Sequence, residues 1–286
     1  MDIRERYYLY EELWHAIRML DFPLDYQEPD IVAKLVIELP AIIKSSLTTI
    51  NPDKRYDVGS AFIHQKPIVH FLNKTGFSNP ELGDLLIICH EKRSFGDVYN
   101  AMFLQAKLSD KPFNQKILQD HQFVLYSEWP EFEYKRAGSL LNGKRRSVLP
   151  KTITQGAQYL LIKRNDKHAD FYTATVDNPL KGSRCFPNTL ASIISFDDGR
   201  TFQMDNPRDD WSQMVIDTLN IVSSKKVVFN RRKAGFAGKK RLHGDFSLHF
   251  LLNNTVTPAD VAQIKQQGQG NEPYGFGVIC ISISDE

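Results

Sequence analysis

Residues 81–107, ELGDLLIICHEKRSFGDVYNAMFLQAK, limit the possible fold more than any other stretch. Two apolar runs, 85–88 and 101–104, flank the polar segment 92–96. Short apolar runs bounded by turn residues read as buried strands, and so short a polar connection joins them as an antiparallel hairpin. Side chains alternate across a strand, so Gln105 and Lys107 share one face, and pairing with the first strand brings Asp84 beside them. An acid, an amide and a lysine then meet at one sheet edge.

Around this hairpin the periodicity of Tyr7, Leu9, Tyr10, Leu13, Trp14, Ile17 and Leu20 predicts an amphipathic helix over 3–20. Ile31, Leu35, Ile37, Ile42 and Ile43 predict a second over 29–46, with Pro40 expected to kink or interrupt it because proline lacks a donor and crowds the preceding turn. Residues 60–71 are expected to form a strand broken at Gln65, Lys66 and Pro67, or two short strands. A helix over 113–128 would carry Gln115, Gln119, Gln122 and Tyr126 along one broad face. Strands are expected over 157–163, 171–177, 247–252 and 277–284, and helices over 188–195 and 210–223. A weak compositional boundary at 138–155 separates residues 1–150 from an α+β half, 151–286, whose strands complete the sheet.

The 286 residues are 42% hydrophobic and 24% charged, the balance of a globular chain of at most two domains. A formal charge of +2 does not by itself demand a polyanionic partner. The basic residues are clustered, however: Lys144, Arg145 and Arg146, then Arg231, Arg232 and Lys233, then Lys239, Lys240 and Arg241. Such clusters can follow a phosphate backbone, although charge runs are more often simply a solvated face. Three cysteines, Cys89, Cys185 and Cys280, lie far apart in apolar surroundings, which suits a reduced cytoplasmic chain without a disulfide framework. No apolar stretch reaches membrane-spanning length. His64 and His70 sit six apart around a turn without a third ligand nearby, which does not make a metal site.

Hydrolysis of a phosphodiester needs an activated water and neutralisation of charge on the phosphate, and a divalent cation held by oxygen ligands serves both needs. Asp84 offers a carboxylate, Gln105 an amide oxygen, and Lys107 a cation on the same face. The order of acid-bearing strand, hairpin, Gln-x-Lys strand and helix resembles the core of the PD-(D/E)XK nuclease superfamily, in the Mrr-like variant where glutamine replaces the second acid. Gly83 before Asp84 resembles the aspartate motif of RecB-like nucleases, and Gln122 with Tyr126 four residues later is similar to their helix motif.

The resemblance covers roughly residues 29–165. It implies an α+β fold: a restriction-endonuclease-like core, with a central mixed sheet flanked by helices, and a C-terminal α+β extension. It further implies Mg2+ or Mn2+ at Asp84 and Gln105, with Glu38 of the preceding helix or Glu81 as the completing acid, and catalysis involving Asp84, Gln105, Lys107, Gln122 and Tyr126. The implied function is a DNA nuclease of bacterial restriction or antiviral defence, working alone, as a homodimer, or with a separate helicase, ATPase or other defence protein. No Gly-x-x-x-x-Gly-Lys-Ser/Thr loop is present, so a motor would be another chain. A catalytically inactive module of the same fold, binding nucleic acid or a protein partner, is the alternative.

Overall fold

A computed structural model describes residues 1–63, 67–73, 76–117, 121–137, 141–224, 242–243 and 275–285. In chain order these form α1 (Ile3–Arg18), α2 (Glu28–Ile50), β1 (Lys54–Ile63), β2 (Val69–Asn73), β3 (Gly76–Ser78), β4 (Leu85–Arg93) and β5 (Gly96–Leu108). There follow α3 (His121–Glu128), β6 (Phe132–Tyr134), β7 (Arg145–Arg146), β8 (Ala157–Asn165), β9 (His168–Ala174), β10 (Arg184–Cys185) and α4 (Phe186–Ile194). The last elements are β11 (Arg200–Phe202), α5 (Asp210–Ser224), β12 (Leu242–His243) and β13 (Phe276–Asp285).

The fold is α+β, with a mixed central sheet in the order β10-β9-β8-β5-β4-β13-β1-β12 and helices on both faces. The hairpin is its middle: β4 and β5 pair antiparallel, with Leu85 opposite Leu104 and Arg93 opposite Gly96. The far edge of β5 is shared, taking β11 along 99–101 and the parallel β8 along 103–108. One face, carrying Leu86, Ile88, Ala101 and Phe103, packs under α3, α5 and the paired indoles Trp129 and Trp211. The other, carrying Leu85, Ile87, Met102 and Leu104, packs under α1, α2 and α4. A smaller sheet, β3-β2-β6-β7, stands apart. No described helix is long and apolar enough to cross a membrane.

The last strand does not extend an edge. β13 inserts between β1 and β4, antiparallel to the first and parallel to the second. Its apolar residues fill both faces, as a strand buried on two sides requires: Val278 and Cys280 join one core, Ile279 and Ile281 the other. Gly277 sits where α2 comes down on the sheet, and a Cβ there would lie 2.4 Å from Val36 Cγ2.

Pro40 does not interrupt α2, which runs unbroken from Glu28 to Ile50. Proline at 40 leaves the Val36 carbonyl without its usual helical donor four residues on. The buried Ser60 hydroxyl of β1 donates to that carbonyl at 2.6 Å. The missing helical bond is thus replaced from the sheet, and the helix continues.

The expected helix over 113–128 is shorter than its apolar spacing suggests. Gln115 forms an antiparallel bridge with Leu180, donating and accepting backbone bonds of 2.9 and 2.8 Å, so 109–117 is a loop tied to the segment before β10. Gln115 therefore leaves the proposed glutamine face, and Gln119 lies outside the described residues, as do His64 and the strand expected over 247–252. The three cysteines are free thiols.

At the turn end of the hairpin, His90 is 2% exposed. Its Nδ1 lies 2.8 Å from Ser282 Oγ of β13, its Nε2 3.2 Å from Asp97, and its ring stacks on Tyr99 at 4.7 Å. Burial holds its pKa below the ordinary histidine value of 6.5, against the opposing pull of Asp97. The unfolded chain then binds more protons than the folded one just below that value, so stability rises with pH through this window. The urea midpoint should fall between about pH 7 and about pH 5.5. His90→Gln should fall less than the wild type over the same interval; an identical slope would remove His90 as a cause.

Ser60→Ala should lower folding stability by about 1–3 kcal/mol, because it strands the Val36 carbonyl in the core. In a Pro40→Ala background, where the helix regains its own donor, the loss should shrink. Equal losses in the two backgrounds would refute the replacement.

Candidate functional site

The hairpin register places Asp84 one step before the Leu85–Leu104 pair, next to Gln105. Its backbone is fixed on both sides: the N–H donates to Leu104 O at 2.9 Å, and the carbonyl accepts from Gly277 N at 2.8 Å. The side chain is 2% exposed, and Oδ2 accepts from Ala106 N at 2.7 Å and from the Gln105 amide. Gln105 is itself 4% exposed, and its Oε1 is buried without a hydrogen-bond partner among the described residues. An unsatisfied buried acceptor costs about 1–3 kcal/mol, a condition that Gln105 Oε1 shares with Trp129 Nε1 and Trp211 Nε1 among the described residues.

Lys107, half-buried, lies two residues on and shares the face of Gln105 by strand alternation. The helix α3 covers the turn before Asp84. The Tyr126 hydroxyl donates to Leu82 O at 2.7 Å, and its ring stacks on Trp129 at 5.6 Å. A Cβ on Gly83 would stand 2.8 Å from that hydroxyl, which explains a glycine directly before the aspartate. Gln122, half-buried, precedes Tyr126 by one helical turn on the same side of α3. Glu81, also half-buried, enters the turn through a bridge with Ile68, and Leu82 N donates to Pro67 O at 2.8 Å.

Glu38 is not brought to this site. It lies on α2, which packs on the opposite face of the sheet, and ion-pairs with Lys34 at 3.7 Å near the surface. The acid that α2 does bring to the end of β5 is Glu28, whose Oε1 accepts from Leu108 N at 2.6 Å. Its sequence signal was modest: an acid at a helix start just before Pro29, where the helix dipole favours negative charge. Among the described residues, no group of three or more histidines, cysteines, aspartates or glutamates is arranged to hold a metal. The oxygen donors at the hairpin base are one carboxylate and one amide, a hard set that suits Mg2+ or Mn2+ better than a soft ion.

The basic run 144–146 is split by the fold. Lys144 and Arg145 are exposed, and Arg145 lies 3.7 Å from Glu131 and 3.8 Å from Glu133. Arg146 turns inward onto Asp217 of α5, with contacts of 2.8 and 2.7 Å, and only 14% of its side chain is accessible. Arg146 is therefore a strut between β7 and α5, not a residue placed to meet phosphate. Burial raises the Asp217 pKa, and the Arg146 guanidinium opposes that rise. Arg231, Arg232, Lys233, Lys239, Lys240 and Arg241 lie outside the described residues.

Comparison with protein-family models, curated proteins and solved structures finds no match to this chain.

Removing Arg146 leaves Asp217 buried without its cation. Arg146→Ala should cost about 3–5 kcal/mol in urea unfolding. Lys144→Ala and Arg145→Ala should stay within about 0.5 kcal/mol of wild type. A small loss in Arg146→Ala would return Arg146 to the pool of surface cations.

Proposed function

We propose that the chain is a metal-dependent DNA nuclease that hydrolyses phosphodiester bonds, of the PD-(D/E)XK type. The observation that carries this reading is the hairpin base: a buried Asp84 joined to Gln105, a Gln105 Oε1 without a hydrogen-bond partner among the described residues, and Lys107 on the same face. Asp84 and Gln105 would hold Mg2+ or Mn2+, with Glu81 the nearest of the proposed completing acids in sequence. A bound divalent cation supplies positive charge at the reacting phosphate.

The chain's own residues supply the rest. The Ala106 N–H fixes one oxygen of Asp84, so the carboxylate is oriented before substrate arrives. Lys107 places a cation where negative charge develops on the phosphate and orients the attacking water. Tyr126, through Leu82, holds the turn that sets the height of Asp84. A role in bacterial restriction or defence, in the cytoplasm and with a separate motor or other partner protein, fits this chemistry. A second reading is favoured by the Gln105 amide donating to Asp84, a neutral group satisfying an acid without a metal. It is an inactive module that binds nucleic acid or a protein.

Incubation with plasmid and with linear single- and double-stranded DNA in Mg2+ or Mn2+ should give cleavage that EDTA abolishes. Asp84→Ala and Lys107→Ala should each slow it by about 100-fold or more. Cleavage that survives both substitutions sinks the site; binding without cleavage in every metal tried selects the inactive module.

A further inference from the structure

A second cluster of titratable and nucleophilic groups lies at the other end of the hairpin, where the core gives way to surface. Ile88 and Cys280 are still core residues; two steps further along β4 and β13 stand His90 and Ser282, which are register partners. His90 is also the partner of Tyr99 on β5, so Ser282, His90, Tyr99 and Asp97 share one face across three strands. Lys92, registered opposite Asp97, is on the same face and exposed.

The three polar groups are ordered as hydroxyl, imidazole and carboxylate. Ser282 Oγ lies 2.8 Å from His90 Nδ1, and Asp97 Oδ2 lies 3.2 Å from Nε2, so the two partners take opposite nitrogens of one ring. The second contact lacks the alignment of a full hydrogen bond, as is common for catalytic contacts before a substrate closes the site. A carboxylate only accepts, so its place beside Nε2 favours the tautomer with the proton there. Nδ1 then turns a lone pair toward Ser282 Oγ, the arrangement by which a neutral imidazole takes a proton from a hydroxyl. Burial keeps the ring neutral at about pH 7, since it holds the His90 pKa below 6.5.

The ring has little freedom to leave this alignment. It stacks on Tyr99 with 4.7 Å between centroids and 20° between planes, and Tyr99 leans on Phe202 at 5.5 Å. The Tyr99 hydroxyl donates to Asp97 at 3.4 Å, so one tyrosine steadies both the imidazole and the carboxylate. On the other side of Ser282 its register partner Asp57 is engaged by Arg55 at 3.1 Å. A core histidine needs partners for both nitrogens, but neither partner need face solvent. Here Ser282 is only half-buried, and Asp97 and Lys92 reach the surface, so the cluster opens outward.

We propose that Ser282 is the nucleophile of a second active site that hydrolyses small acyl esters, with His90 as its general base and Asp97 as a positioning residue. Ser282 Oγ bonds to the acyl carbon and passes its proton to His90 Nδ1; the bond from that carbon to the alcohol oxygen breaks, and the alkoxide leaves with the proton. Water then bonds to the acyl carbon and gives a proton to His90, the bond to Ser282 Oγ breaks, and His90 returns the proton to the serine. Lys92 brings positive charge to the face on which the carbonyl oxygen becomes negative. These steps draw only on the chain's own side chains, so the proposal does not rest on the nuclease reading.

The full chain is incubated in EDTA with an alkyl fluorophosphonate, whose phosphorus bonds to a serine Oγ as fluoride leaves. Intact mass should show one adduct, and peptide mapping should put it on Ser282. Ser282→Ala should lose the adduct while its unfolding midpoint matches wild type, and Ser284→Ala, altered two residues on along the same face, should label as wild type does. His90→Gln should slow labelling by about 100-fold or more. Hydrolysis of p-nitrophenyl acetate should fall in the same variants. Nitrogen NMR of the imidazole should show the Nε2–H tautomer in the wild type and its loss in Asp97→Asn, a change that a merely structural carboxylate would not produce. An unlabelled wild type, an adduct on another residue, or labelling that Ser282→Ala or His90→Gln leaves unchanged overturns the site. An unchanged tautomer in Asp97→Asn overturns the role of Asp97.

Discussion

The close approach of α2 to the centre of the sheet is the constraint on which the other contacts depend. Gly277 permits it, because any larger residue would press on Val36 at 2.4 Å. The same residue donates its N–H to the Asp84 carbonyl, so the glycine that seats the helix also fixes the acid. Two register positions along, Ser60 completes the Val36 carbonyl that Pro40 leaves open. A helix with an interior proline and a strand with a glycine are each weakened alone. Here each defect is filled by the neighbour it allows to come close.

At the hairpin base the balance differs. Asp84 is satisfied by its neighbours' donors, while Gln105 Oε1 is left without a partner among the described residues. The surroundings are rigid: Tyr126, Trp129 and Tyr159 are all fully or nearly fully buried around the turn. Under the proposed nuclease reading, a carboxylate held this firmly would lose little freedom on engaging a cation.

Local features of the sequence carried the hairpin and the meeting of Asp84 with Gln105. Alternation has a period of two and the turn is short, so both follow from residues within one stretch. Helical spacing put Tyr126 on a polar face with Gln122, whereas its ring is buried and its hydroxyl reaches Leu82 O. The missed features all depend on residues far apart in the chain. Nothing near Pro40 announces Ser60, nothing near Gln115 announces Leu180, and nothing near Arg146 announces Asp217. Glu38 had the right residue type on the right helix, but rotation about the α2 axis and the sheet between them decide which acid reaches β5. The insertion of β13 was equally hidden, since an apolar alternating strand reads the same at an edge or at the centre.

That insertion has a consequence for how the molecule assembles. β1 and β4 both precede β13 in the chain, yet they never touch as neighbours; the strand that separates them follows the second of them by almost two hundred residues. Until it arrives, both edges stand open, and two hydrophobic strands face a gap of one strand's width. A nascent chain of this kind must delay its central closure, and pairings between distant residues are slow to form. The backbone bond from Gly277 to Asp84 is therefore formed late, and the acid at the hairpin base is locked in place only as the sheet closes.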